Sequence, residues 1–564
     1  MIKIEALFLE DLLIRRGVLM AQVDGGVLAA RQLKKFGIDT VFGVVAGPMI
    51  ELFAGAQSEG LQVIGCRHEI NGGIMASAWG WQKRMPGVFI AGSGPAVTNC
   101  VTPLYIATES AMPLVVLGGS AFSNTTGSGG FQELDQIGVT RTVCKWTGRV
   151  DSTERIPEWI HLALGKALEG KPGGVYLDFP GDLVPNKVDE EKTQLRNATE
   201  IARPHPDPHA ILRTADMLSS AERPLILIGK GAAWSEAGPA LKELVDLGIP
   251  YICAPMARGT LPDDHPNFAN AARSEALGNA DLIVMFGGRF NWIFGMGRHF
   301  AKDAKIIQID IEPEEMSSTA PITHGIVADA RATAEALSNA LSSSDLSTLS
   351  KGWLKRLQDK AKQNENKLID LERDNSQPIN PYRAVAEIRD ILPREAIVTA
   401  EGETTMGICR AILPSFMNRS RFNAGTTGSM GVGVPYAIGA SIASPHRLSV
   451  GILGDYAFGS AAIAVETAVR VGAKPILVVL NNEGIAGHLL QDNMLPPDSP
   501  MIASLLPARY EMMADMIGAH SEYVKAPEEI RPAMERAIAS GKLAVVHIRV
   551  NPKTARTGGA NYLQ

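Results

Sequence analysis

The sequence predicts an α/β protein built from three open parallel-sheet domains in series. Short apolar runs alternate with helical patterns along almost all of its 564 residues. Two polar, charged stretches interrupt the alternation, and the length suits about three domains better than one core. Strand–helix alternation implies parallel sheets, because each crossover helix covers a face and returns the chain to the same edge.

In the first alternation, 20–185, the patterns predict a helix at Val27–Phe36 and a strand at Val41–Val45. A helix at Ile50–Ser58, a strand at Val63–Cys66, a helix at Asn71–Gln82 and a strand at Gly87–Ala91 follow. Strands at Pro113–Gly118 and Val175–Asp178 close it. A polar linker, Asn186–Pro204, leads to a second unit, 205–342, with strands at Pro224–Ile228, Ala280–Met285 and Lys305–Asp310. A second linker, Ser342–Ser350, and a charged helix, Trp353–Arg373, precede the third alternation, 375–550. Its strands are Glu395–Thr399, Leu448–Leu453, Ile476–Leu480 and Ala544–Ile548. Residues 1–19 read as an N-terminal extension with little structural role, and 551–564 as a C-terminal tail or lid.

Composition narrows the function. A net charge of −6 with no long basic run lacks the footprint of a nucleic-acid binder. No apolar run reaches the roughly 18 residues of a membrane span, and Glu5, Glu10 and Asp11 interrupt the N-terminus too early for a signal peptide. The cysteines (Cys66, Cys100, Cys144, Cys253, Cys409) are odd in number and contain no CxxC pair. That argues for a reducing, cytoplasmic setting and against disulfides or structural zinc.

The chemistry concentrates in Gly454-Asp455-Tyr456-Ala457-Phe458-Gly459 and Asn481-Asn482-Glu483-Gly484. The first follows one strand and the second ends the next, so Asp455 and Asn482 offer hard oxygens at the carboxyl edge of a sheet. A small cation such as Mg²⁺ takes few protein oxygens of this kind and completes its shell with phosphate. Glu69 stands at a strand–helix junction, where small-molecule sites form in open sheets. A helix N-terminus that simply favours an acid would account for it equally well. Gly425-Thr426-Thr427-Gly428-Ser429-Met430-Gly431-Val432-Gly433 allows close backbone approach to a ligand.

Taken together, these stretches resemble the thiamine-diphosphate enzymes from about residue 20 to 550, with pyrimidine-binding, central and diphosphate-binding domains in that order. Their metal motif is GDG followed by NN; here Tyr456 replaces the second glycine. The resemblance implies thiamine diphosphate and Mg²⁺ as cofactors, the metal on Asp455, Asn482 and the Gly484 carbonyl. It implies that Glu69 bonds the aminopyrimidine and promotes its imino form, which deprotonates the thiazolium. Gly428 matches the carbonyl that meets the same ring, and Met430 the apolar wedge that bends the cofactor. Thr404, Thr405, Gly454, Tyr456 and Ala457 match positions around the diphosphate.

Within the family, Gly287-Gly288-Arg289-Phe290-Asn291-Trp292 and Gly130-Phe131-Gln132-Glu133 resemble the oxalyl-CoA decarboxylases and 2-hydroxyacyl-CoA lyases. Arg289, Asn291 and Trp292 are thereby candidates for CoA contact, Gln132 for positioning substrate, and the central domain for an ADP site. Where much of that subgroup reads NN-x-GIY, this chain has Glu483 and Ala486. Ala486 leaves room for a branched acyl group such as 2-hydroxyisobutyryl. A carboxylate at 483 repels oxalyl but suits a base for a neutral 2-hydroxyl, a role His488 could also fill. The expectation is a lyase giving formyl-CoA and an aldehyde or ketone, reversibly. It would act as a homodimer or homotetramer with sites shared between subunits. Oxalyl-CoA decarboxylase, a flavin-carrying acetolactate-synthase-like enzyme and a non-catalytic nucleotide-binding protein are the alternatives.

Overall fold

The computed structural model describes residues 22–316, 320–342, 351–485, 488–496 and 498–554. The expected extension 1–19 and residues 555–564 of the expected tail lie outside them. The chain divides into two compact units, the first ending at Glu200 and the second beginning at Ile201.

The first unit holds a six-stranded parallel sheet. Its order is Gln62–Gly65, Thr40–Gly43, Gly87–Ala91, Leu114–Ser120, Gly174–Pro180, Trp146–Arg149. The three inner strands from Gly87 to Pro180 are buried at every position. Strands covered on both faces need apolar side chains on both, so they read as continuous runs rather than alternation. Leu33, Leu52, Ile90, Leu117 and Leu164 meet in the core on one face. A short antiparallel pair, Gln22–Asp24 with Lys187–Asp189, ties the start of the expected linker back to the chain's beginning.

The second unit contains two parallel sheets. The five-stranded one runs Tyr251–Cys253, Pro224–Ile228, Leu282–Phe286, Lys305–Asp310, His324–Val327. The six-stranded one runs Arg421–Asn423, Ile397–Glu401, Ser449–Gly454, Ile476–Asn481, Ala544–Arg549, His520–Val524. Polar contacts join the two regions: Asn418 Nδ2 donates to the Ala233 carbonyl at 2.8 Å and Arg258 to the Arg410 carbonyl at 2.9 Å. Arg258 and its partner Asp263, 2.6 Å apart, are both nearly fully buried, so neither charge is left uncompensated.

Counted along the chain, both six-stranded sheets follow the order 2-1-3-4-6-5. The order reverses between the first and third strands of each, and open α/β sheets bind ligands outside the carboxyl ends of their strands at such a point. In the last sheet this point lies between Glu401 and Gly454. The charged helix expected at Trp353–Arg373 is two helices, Lys351–Asn366 and Ile369–Glu372.

Candidate active site

In the first unit, Glu69 opens the helix Glu69–Lys83 that follows the strand Gln62–Gly65. Asn99 Nδ2 donates to Glu69 Oε2 at 2.9 Å. Asn99 comes from Pro95–Glu109, a helix absent from the sequence reading although Gly94-Pro95 after a strand is a start signal. The same helix organises Gln132: Ser93 Oγ donates to Gln132 Oε1 at 2.7 Å, and Gly94 N donates to Gln136 at 2.7 Å. Gln132 has φ +57 and Gly94 φ +51; a Cβ on Gly94 would stand 2.7 Å from the Gln132 carbonyl. Glu69 and Gln132 are thus tied to one helix and its N-terminal turn.

The other described candidates belong to the second unit. Asp455 starts a short helix directly after Ser449–Gly454, and Asn482 follows the neighbouring strand Ile476–Asn481. Asp455 is 1% exposed. Its carboxylate accepts from Tyr456 N at 2.8 Å and Gly484 N at 3.0 Å. Burial nevertheless pushes the carboxyl up to about 6. One terminus of the Asn482 amide lies 3.2 Å from Asp455 Oδ1 and 3.0 Å from the Gly484 carbonyl oxygen. With its nitrogen inward the amide hydrogen-bonds both. With its oxygen inward, three hard oxygens converge, the arrangement a small cation needs. The residues therefore fit Mg²⁺. A protonated Asp455 cannot serve it, so Mg²⁺ affinity is expected to fall about tenfold per pH unit below about pH 6, read by titration calorimetry from pH 5 to 8.

Gly484 admits no larger residue: a Cβ would lie 2.4 Å from the His488 ring and 2.8 Å from the Ala503 carbonyl. His488 is buried beneath the turn, its Nδ1 3.2 Å from the Ile485 carbonyl, so it serves packing rather than standing free as a base. Glu483 sits in the left-handed region, φ +63. Its carboxylate accepts from Arg549 Nη2 at 3.1 Å, and its carbonyl from Leu505 N at 2.8 Å. Ala486 lies outside the described residues.

The turn Gly425–Gly433 is held from two sides. Gly425, Gly428 and Gly431 have φ near +60 to +82. Met430 is 43% exposed, so it is no part of the packed core. On one side, Trp292 Nε1 donates to the Thr426 carbonyl at 2.9 Å and Arg289 Nη2 to Thr426 Oγ1 at 3.3 Å. Asn291 caps its own turn through Ile293 N at 3.1 Å. Asn291 Nδ2 also reaches Thr426 Oγ1, at 3.5 Å, so these three CoA candidates brace the turn. On the other side stands Glu401, fully buried at its strand's end, its carboxylate accepting from Gly431, Val432 and Gly433 N. Thr405 is buried close to Gly454, Thr404 bonds the adjacent Glu403 at 3.3 Å, Tyr456 is 40% exposed and Ala457 fully buried.

Glu401 went unremarked in the sequence, although its position at the end of an apolar run is a signal. Burial raises its carboxyl to about 7 despite the three N–H donors. A raised acid favours the folded state fully below its unfolded pKa, about 4.5, and loses that contribution as pH rises through about 7. The Glu401 contribution should therefore lower the melting temperature of metal-free protein as pH rises from about 4.5 to about 7. Glu401→Gln should reduce that slope, and an unchanged slope would refute the assignment.

Lys230 is a further basic group that sequence reading missed. It starts the helix Lys230–Trp234, where Gly231 N donates to the Gly287 carbonyl at 2.8 Å. Burial, with nearby Arg289, holds its ammonium well below the usual range. Among the described residues, no helix is long and apolar enough to cross a membrane, and the five cysteines form no disulfide.

Three family models match the chain: the thiamine pyrophosphate enzyme N-terminal TPP binding domain over residues 23–139, the central domain over 211–337 and the C-terminal TPP binding domain over 401–548. A 2-hydroxyacyl-CoA lyase of Arabidopsis thaliana is 36% identical over 561 residues, covering 95% of this chain and 97% of that one. The 2-hydroxyacyl-CoA lyase 1 of Homo sapiens is 33% identical over 558 residues, covering 95% and 96%. The oxalyl-CoA decarboxylase of Escherichia coli K12 is 32% identical over 553 residues, covering 96% and 97%.

Proposed function

We propose that this chain, which belongs to the thiamine pyrophosphate enzyme family, is a 2-hydroxyacyl-CoA lyase. Its substrate is a short or branched acyl-CoA such as 2-hydroxyisobutyryl-CoA, cleaved reversibly to formyl-CoA and a ketone or aldehyde. The observation that carries this reading is Glu483: a carboxylate on a left-handed turn between Asn482 and Gly484, tethered by Arg549. The full-length similarity to 2-hydroxyacyl-CoA lyases supports it.

Bound thiamine diphosphate supplies a nucleophilic carbon and an electron sink for the pair freed when the carbon–carbon bond breaks. Asp455, Asn482 and the Gly484 carbonyl would hold Mg²⁺. Thr404, Thr405, Gly454, Tyr456 and Ala457 would lie near the cofactor. Glu69 would bond the aminopyrimidine from one subunit, and Gly428 and Met430 would contact the same cofactor from the other. Gln132 orients the acyl group, and Glu483 takes the proton from the 2-hydroxyl. Alanine at 486 opposes no bulk to a branched substrate.

Arg289, paired with Glu315 at 3.8 Å, suits the phosphates of CoA, and Lys230 lies near it. ADP presents the same phosphate chemistry. The domains take the bounds 20–185, 205–342 and 375–550. Active sites are shared between the subunits of a homodimer or homotetramer, and the protein is cytoplasmic.

Product analysis with 2-hydroxyisobutyryl-CoA and oxalyl-CoA side by side, with thiamine diphosphate and Mg²⁺ present, tests the activity. Acetone and formyl-CoA from the first, without CO₂ from the second, support the lyase. CO₂ from oxalyl-CoA alone would make the protein a decarboxylase, the activity named for its E. coli relative.

A further inference from the structure

We propose that His547 is a positioning residue for the metal-binding turn: with Glu511 it fixes the orientation of the Asn481 amide, and through that amide the backbone of Glu483 and Gly484. The inference rests on Asp455, Asn482 and Gly484 being the metal ligands. Asn481 binds no metal in that reading, and its side chain faces away along a buried chain of polar groups. Arg509 pairs with Glu511, Glu511 Oε2 lies 2.6 Å from His547 Nδ1, and His547 Nε2 lies 3.0 Å from Asn481 Nδ2. The far side of the same amide, Asn481 Oδ1, accepts from Glu483 N at 2.9 Å.

Only one arrangement of protons satisfies all these contacts. The Glu511 carboxylate only accepts, so Nδ1 carries the proton. Nε2 then presents a lone pair, which accepts from the Asn481 amide nitrogen and leaves the amide oxygen for Glu483 N. Burial lowers the imidazole below its ordinary value, which keeps it neutral near pH 7. The rings of Tyr510 and Tyr523 pack on the imidazole at 5.7 and 4.9 Å and confine its plane.

An outward turn of the Asn481 amide would set N–H₂ against Glu483 N–H and release the left-handed residue, a conformation that needs external support. Gly484 follows directly. Its N–H holds Asp455 at 3.0 Å, and its carbonyl is one of the three converging oxygens. His547 therefore acts on the metal without approaching it.

Calorimetric titration of the full chain with Mg²⁺, at saturating thiamine diphosphate, tests this in wild type, His547→Gln and His547→Asn. Gln carries an oxygen close to where Nε2 stands and can still accept from Asn481; Asn reaches only Glu511. The expected result is about tenfold weaker Mg²⁺ binding in His547→Asn and near wild-type binding in His547→Gln. Equal affinities in the two variants would overturn the proposal. A wild-type protein that binds no Mg²⁺ would instead overturn the ligand reading beneath it. Nitrogen-15 spectra of histidine-labelled, metal-free wild type give an answer that requires no variant to fold. A proton on Nδ1 and none on Nε2 is expected, and the opposite tautomer overturns the proposal.

Discussion

Glu69→Gln is expected to slow turnover on every substrate by about 10²- to 10⁴-fold, the usual range for losing a positioned proton-transfer group. Asn99 already engages Oε2, so Oε1 is the atom offered to the cofactor. Glutamine keeps the shape but can place a donor where an acceptor is needed, and it weakens the Asn99 contact in one of its two orientations. The helix start is not at risk, because His68 caps it by accepting from Ile70 N at 3.2 Å. The deficit should therefore lie in activation of the cofactor and not in folding. Hydrogen–deuterium exchange at the thiazolium carbon of the bound cofactor reads that step directly. Exchange as fast as in wild type would remove Glu69 from the role.

Glu483→Gln is expected to cut cleavage of 2-hydroxyacyl-CoA by a similar factor, about 10²- to 10⁴-fold, while Mg²⁺ and thiamine diphosphate still bind. The substitution preserves side-chain size, and nothing in the backbone at φ +63 favours Glu over Gln. The contacts that hold the turn, through Asn481 Oδ1 and Leu505 N, are made by main-chain atoms of residue 483 and survive. What disappears is the carboxylate, and with it the pair to Arg549. Both partners are substantially solvent-exposed, 33% for Glu483 and 51% for Arg549, so the pair adds little stability. Its value lies in aiming the carboxylate. Arg549→Ala should accordingly lower cleavage less than Glu483→Gln and leave thermal stability almost unchanged. Near-normal cleavage by Glu483→Gln would sink the assignment of the base.

How far the sequence foretold the molecule depends on where each element lies in its sheet. Ile50–Ser58, Gly87–Ala91, Pro224–Ile228 and Lys305–Asp310 fall where the apolar runs put them. In the three larger sheets the strands that went unread, Trp146–Arg149, Tyr251–Cys253, His324–Val327, Arg421–Asn423 and His520–Val524, all stand at edges. An edge strand has one paired side and is short, often carrying polar residues that discourage further pairing, so a clear apolar run announces few of them, Gln62–Gly65 being the one read here. The same physics divides the candidate residues. Asp455 and Asn482 follow inner strands, where a sequence pattern points to them, whereas Arg549 and His547 reach Glu483 and Asn481, and Asn99 reaches Glu69, only through tertiary pairing. The shared order of the two outer sheets was equally invisible, since topology leaves no local repeat in the residues.

The strand Ala544–Arg549 has a consequence for synthesis. Last of its sheet to be made, it nonetheless lies inside, between Ile476–Asn481 and His520–Val524. A nascent chain that has not yet released it leaves Ile476–Asn481 with a bare edge, and the turn after Asn481 lacks both Arg549 and His547. This part of the protein can therefore finish folding only after Ala544–Arg549 has emerged, with an apolar edge exposed in the interval. That is where misassembly begins in larger chains and where a chaperone would act.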